Sequence, residues 1–208
     1  MGLDATILAR GSAEAMAAGD GVGASGARDA DYEPLRRAAR EAGKPFGIHA
    51  GERDPADVNP ALDLDPDHLV HMVHLDDVHL DRLAESAVPI VVCPRSNLVT
   101  GVGLPDLEAL RARTTVALGT DNAFLDAPSM FREMEFVAKL FDVSAREVLW
   151  MATGAGAEVL GLDCGVIAAG NEARLLVLDG DSDNLAGAQS LVRAVVRRAG
   201  VSDVRETI

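Results

Sequence analysis

The stretch Pro45-Phe46-Gly47-Ile48-His49-Ala50-Gly51-Glu52 decides how this chain is read. It is a short apolar strand that closes on an imidazole, with a carboxylate three residues later. Three further stretches repeat the plan in order. They are His71-Met72-Val73-His74, Cys93-Pro94-Arg95-Ser96-Asn97 and Gly119-Thr120-Asp121-Asn122, each following an apolar run that reads as a strand. Polar and metal-binding side chains thus collect at the carboxyl ends of successive strands, which is where α/β barrels keep their chemistry.

Outward from these segments the chain alternates strands and helices. Residues 4–18 are Ala-rich and predict a helix, and Asp20 to Ser25 a short strand running into a loop. Leu35, Ala38, Ala39 and Ala42 share one face of a helix over 31–43 that stops at Gly43. An Asp/Pro-rich loop leads to a strand at Leu69 to Val73, then a helix at 79–86. Val88 to Cys93 is continuously apolar, as expected of a strand buried on both faces. A loop through Gly101 and Gly103 precedes a helix near 105–112, the strand Thr115 to Leu118, and helices at 128–140 and 144–160. This alternation predicts an α/β fold with a parallel sheet. From Gly165 the texture changes: Val166-Ile167, Leu175 to Leu178 and Val192 to Val196 read as short strands of a β-rich segment.

Composition narrows the function classes. The 208 residues are 48% apolar with few aromatics, so the core is built from Ala, Val, Leu and Ile. No run of 18 apolar residues and no basic-then-apolar leader occurs, which predicts a cytoplasmic protein with no membrane partner. The net charge of −14, from 33 acidic against 19 basic residues, argues against nucleic acid as a partner. Lysine occurs only at Lys44 and Lys139, and the spread-out acids read as adaptation to a salty cytosol, a halophilic character. Cys93 and Cys164 form no CxxC and read as free thiols, with Cys93 at a strand end inside the candidate site.

The candidate chemistry lies at the strand ends. A neutral imidazole at His49 suits Zn²⁺ or a similar ion, and Glu52 is placed to move a proton; the bland alternative is a core histidine and a surface acid. On an extended strand His71 and His74 point to opposite faces, so only one of them, taken as His71, reaches the mouth. His68 and His79 read as surface-loop residues. A carboxylate at Asp121, closing a buried apolar strand, is costly unless paired or bound to metal; an N-cap of the next helix competes with that reading. Ser96 and Asn97 offer hydrogen bonds to a substrate or to the loop, and Arg95 a partner for an anion. Two apparent motifs fail. Gly21 to Gly26 matches GxGxxG but follows no long apolar strand, and the spacing His-x-x-Glu with Cys93 before Pro94 departs from the nucleobase-deaminase zinc signature.

Taken in order, His49-Ala50-Gly51-Glu52, the 69–77 stretch LVHMVHLDD, the 91–103 stretch VVCPRSNLVTGVG and the 116–124 stretch VALGTDNAF resemble the amidohydrolase superfamily. The branch they resemble is that of aminohydrolases and chlorohydrolases, which includes cytosine, guanine and S-adenosylhomocysteine deaminases. The resemblance implies a partial (β/α)8 TIM-like barrel, about its last five β/α units, over 1–163, and a small β-rich segment over 164–208. It implies one Zn²⁺ (or Fe²⁺ or Mn²⁺) held by His49 and Asp121. It makes Glu52 the proton shuttle, joined in proton transfer by Asp121, and makes His71 the group that orients a heterocyclic substrate. The implied reaction is hydrolytic deamination. The family's first barrel strand carries a His-x-His metal pair, and none occurs here. The expectation is therefore a carboxyl-terminal portion, active with a complementary N-terminal chain or self-associated, or else a non-catalytic remnant that binds a small molecule or partner.

Overall fold

A computed structural model describes residues 5–208, so the first residue of the helix expected over 4–18 lies outside the described residues. The chain forms two compact units interleaved in sequence. One runs to Val92 and takes in Val102–Thr115; the other joins Cys93–Gly101 to Val116–Ile208.

The first unit is built on five parallel strands in sequential order: β1 (Leu8–Ala9), β2 (Gly21–Ala24), β3 (Phe46–Ala50), β4 (His68–His71) and β5 (Ile90–Val92). Parallel neighbours need crossovers, supplied by α1 (Ala13–Ala18), α2 (Glu33–Glu41), α3 (Val58–Asp63) and α4 (Asp77–Ser86). The α/β class and parallel strands match the sequence reading. Val22, Phe46, Ile48, Leu69 and Ile90 are fully buried, which explains why these strands are apolar runs without alternation.

Several local expectations are corrected. The 4–18 stretch is not one helix, because Leu8–Ala9 pairs with Gly21 and Val22 and only Ala13–Ala18 is helical, capped by Ser12. The loop after Glu52 contains a 3-10 turn over Pro55–Asp57, capped by Asp54, whose carboxylate accepts from Ala56 N at 2.8 Å, and this turn leads into α3. His68 and His79 are not surface residues, at 4% and 5% exposed. His68 packs on Gly47, where an added Cβ would lie 2.1 Å from its ring. Burial lowers the His68 pKa, with Asp67 opposing, so the ring stays neutral. His79 closes a capping box with Asp76 at the start of α4.

In the second unit the residues after Cys93 form α5 (Pro94–Thr100), entered by Pro94 and stopped by left-handed Gly101, rather than a loop. The remaining short helix of the first unit is α6 (Leu107–Arg111). The second unit continues with β6 (Val116–Leu118), packed by α7 (Met130–Leu140), α8 (Ala145–Met151) and α9 (Gly154–Val159). The single helix expected over 144–160 is thus two, broken at Ala152 and Thr153.

The rest of the second unit comprises β7 (Leu176–Leu178), α10 (Leu191–Arg198) and β8 (Val204–Thr207), with β7 and β8 antiparallel. Val166-Ile167 forms no strand and leaves Ile167 88% exposed. Val192 to Val196 is helical rather than extended. Ser190 caps α10, Ala194 and Val196 are buried, and the helix packs on α7 and α8. That packing outweighs the weak strand preference of valine.

Candidate active site

In the first unit β3 and β4 bring two histidines together. His49 pairs with Val70, and Ala50 with His71, so regular pleating would send the two rings to opposite faces. The chain breaks the alternation: His71 and Met72 are left-handed, with φ of 76° and 53°. The rings end 5.1 Å apart between centroids, and each offers a ring nitrogen within 4.8 Å of the other's. His71 is 1% exposed, and its Nε2 lies 3.8 Å from Glu52 Oε2. Two consecutive left-handed residues without glycine are strained, and such strain concentrates at functional sites.

Gly51 makes the turn that returns Glu52 to the histidines. Its φ is +61°, and a Cβ there would meet His74 O at 3.1 Å. Its N–H donates to Asp57 Oδ1 at 2.8 Å, and its carbonyl accepts from Val73 N and His74 N. His74 contributes backbone to this turn.

Arg10, just past β1, escaped the sequence reading. Its Nη2 lies 3.3 Å from His49 Nδ1 and 3.4 Å from Nε2. A guanidinium only donates, so the ring nitrogen it meets presents a lone pair. The signal was a polar residue directly after an apolar run, hidden because that run looked helical.

In the second unit α5 and the loop after β6 bring Asp121, Ser96 and Arg95 together. Asp121 is left-handed, with φ 53°, and Ser96 Oγ donates to its Oδ2 at 2.5 Å. Ser96 and Asn97 are fully buried on α5. Arg95 is 5% exposed and engaged by its own chain: Nη2 donates to Asp126 Oδ1 at 2.7 Å and Nη1 to Glu133 Oε1 at 3.2 Å. Burial pushes Glu133 up to about 7, with Arg95 pulling down and Asp126 pushing up. Sequence reasoning missed Asp126 and Glu133. The signal for Glu133 was an acid on the stripe that carries Met130 and Val137 of α7.

Two imidazoles this close, with a carboxylate beside them, fit the nitrogen and oxygen donors that Zn²⁺ and similar ions take. The family model described as the amidohydrolase family matches residues 17–204. The chain belongs to that family. An uncharacterised protein of Methanocaldococcus jannaschii is 31% identical to this amidohydrolase over 92% of the chain and 56% of its own length. A 5-methylthioadenosine/S-adenosylhomocysteine deaminase of Halobacterium salinarum is 36% identical, over 82% of the chain and 46% of the deaminase. Among solved structures, an adenosine deaminase from Xanthomonas campestris with bound zinc superposes with a TM-score of 0.80 at 25% identity, covering 90% of this chain and 49% of that one. The branch read from the motifs is borne out. This amidohydrolase chain spans about half the length of the curated relatives it matches.

Proposed function

We propose that this amidohydrolase supplies the carboxyl-terminal half of a divalent-metal centre for hydrolytic deamination of a nucleobase-like heterocycle. His49 and Asp121 are its ligands to one ion, Zn²⁺ or else Fe²⁺ or Mn²⁺. The observation that carries the reading is the His49–His71 pair with Glu52 beside it, held by a strained backbone. Deaminase-named relatives support the substrate class. Such an ion, when bound, would supply Lewis acidity and lower the pKa of a bound water toward neutral.

The chain's own residues do the rest. Glu52 takes a proton from the attacking water and delivers it toward the leaving nitrogen, with Asp121 assisting. His71, fixed by burial, hydrogen-bonds the substrate heteroatom and orients the ring. Ser96 and Asn97 line the substrate side of α5. Arg95, assigned to a substrate anion on residue type alone, already has two carboxylate partners, and we assign it to holding α5 instead.

No His-x-His occurs in the 208 residues, so the further ligands of the proposed centre come from polypeptide outside them. Among the described residues no helix is long and apolar enough to cross a membrane; we propose a cytoplasmic setting as a separate expectation. A second reading is a non-catalytic remnant that binds a small molecule. Ammonia release from S-adenosylhomocysteine and related nucleosides, measured on the zinc-loaded chain, decides between them. Release that disappears in Glu52→Gln supports the deaminase; zinc binding without release supports the remnant.

A further inference from the structure

Arg95 sits where three pieces of the second unit meet. It is the second residue of α5, and it reaches both the loop that follows Asp121 and helix α7. Besides its bonds to Asp126 and Glu133, Nη1 donates to Ala127 O at 3.3 Å, and the guanidinium lies 5.9 Å from the Phe136 ring centroid. Its chain neighbour Ser96 holds the Asp121 carboxylate. Between Asp121 and Asp126 the loop is tied internally: Asn122 Oδ1 accepts from Phe124 N at 2.8 Å, and Asn122 O accepts from Leu125 N and Asp126 N. Arg95 therefore grips the carboxylate-bearing segment at both ends, through Ser96 at one and Asp126 at the other.

The chemistry of the cluster is unusual for a purely structural feature. Glu133 is fully buried, and its Oε2 and Asp126 Oδ2 are buried without hydrogen-bond partners. Unpaired buried acceptors are destabilising, and a buried ion pair is often no more stabilising than apolar side chains of the same volume. An apolar residue at 133 would continue the stripe of α7. What the charged version adds is direction: a planar guanidinium held by two carboxylates admits few orientations, so α5 and the loop are locked in register. Asp121 is left-handed, a conformation that aspartate adopts more readily than most residues but that still narrows where its carboxylate can be held.

We infer that Glu133 and Asp126 are positioning residues that act through Arg95 and Ser96 to hold the Asp121 carboxylate in its ligating orientation. The inference rests on the proposed role of Asp121 as a metal ligand, and its test separates the two.

The test compares wild type, Glu133→Leu, Glu133→Gln, Asp126→Ala and Asp121→Ala, all as the full chain. Hydrogen exchange of the 119–127 segment is measured metal-free, and zinc affinity by chelator competition. Glu133→Leu is expected to speed exchange of that segment about tenfold with the rest unchanged, and to weaken zinc about tenfold, within the range for residues that support ligands. Glu133→Gln, which keeps a carbonyl oxygen for Arg95, should restore most of both. Asp126→Ala, which cuts only the loop arm, should reproduce the effect if Glu133→Leu fails to fold. Unchanged exchange and unchanged zinc affinity in Glu133→Leu and Asp126→Ala would overturn the inference. Wild-type zinc affinity in Asp121→Ala would instead overturn the ligand assignment, whatever the exchange shows.

Discussion

At the scale of residues, Gly51 and Glu133 give separable signatures of backbone strain and buried charge. A Cβ at Gly51 would both demand a left-handed alanine and press on His74 O at 3.1 Å, whereas Gly43, with φ +64°, has nothing within 4 Å. Gly43→Ala is expected to cost only the backbone penalty of about 1–2 kcal/mol. Gly51→Ala should cost more in denaturant unfolding, because the neighbouring backbone must also give; equal losses would refute the close approach. Glu133 gives a pH signature. Burial raises it from 4.5 to about 7, so between these values the folded chain holds a proton that the unfolded chain has released. Stability from this group is therefore greatest at low pH, falls as pH rises from about 4.5 to about 7, and is level above. Glu133→Gln has no such proton. Its stability relative to wild type should rise over the same window, from about pH 4.5 to about pH 7, and a constant difference would contradict the buried-acid account.

At the scale of elements, the strands β2 to β6 were legible because each is an apolar run closed by polar or turn residues. The short helices α3 and α5 were not, since helices of six or seven residues leave almost no periodicity, and the Pro94 entry and Gly101 stop of α5 are the sequence's only marks of it. Val192 to Val196 misled because valine-rich runs favour strands locally, while packing against α7 and α8 decided for helix. His49, Glu52, His71 and Asp121 stood out as polar residues at strand ends. Asp126 and Glu133 did not, because their role depends on a partner more than 30 residues away, Arg95. Caps are the most local determinants. Ser144 Oγ accepts from Glu147 N at 3.3 Å, and Glu147 returns a bond to Ser144 N at 3.0 Å. Ser144→Ala should cost about 1 kcal/mol of stability, read as a lower denaturant midpoint with the slope unchanged; no shift would mean α8 is fixed by packing alone.

At the scale of the whole molecule, charge and metal set the behaviour. With 33 acids against 19 bases, self-repulsion destabilises the chain at low ionic strength. Its melting temperature is expected to rise steadily from about 0.1 M to about 2 M KCl, as screening shortens the reach of each charge; equal melting at both ends would remove the halophilic reading. The central claim is that this chain, which spans about half the length of its relatives, carries working ligands of a metal centre. Titration of zinc into the metal-free chain tests it most directly, with His49→Ala and Asp121→Ala alongside. The account predicts a single zinc ion per chain, with affinity at least about tenfold weaker in each variant. No binding by the wild type, or binding that neither variant weakens, would contradict it.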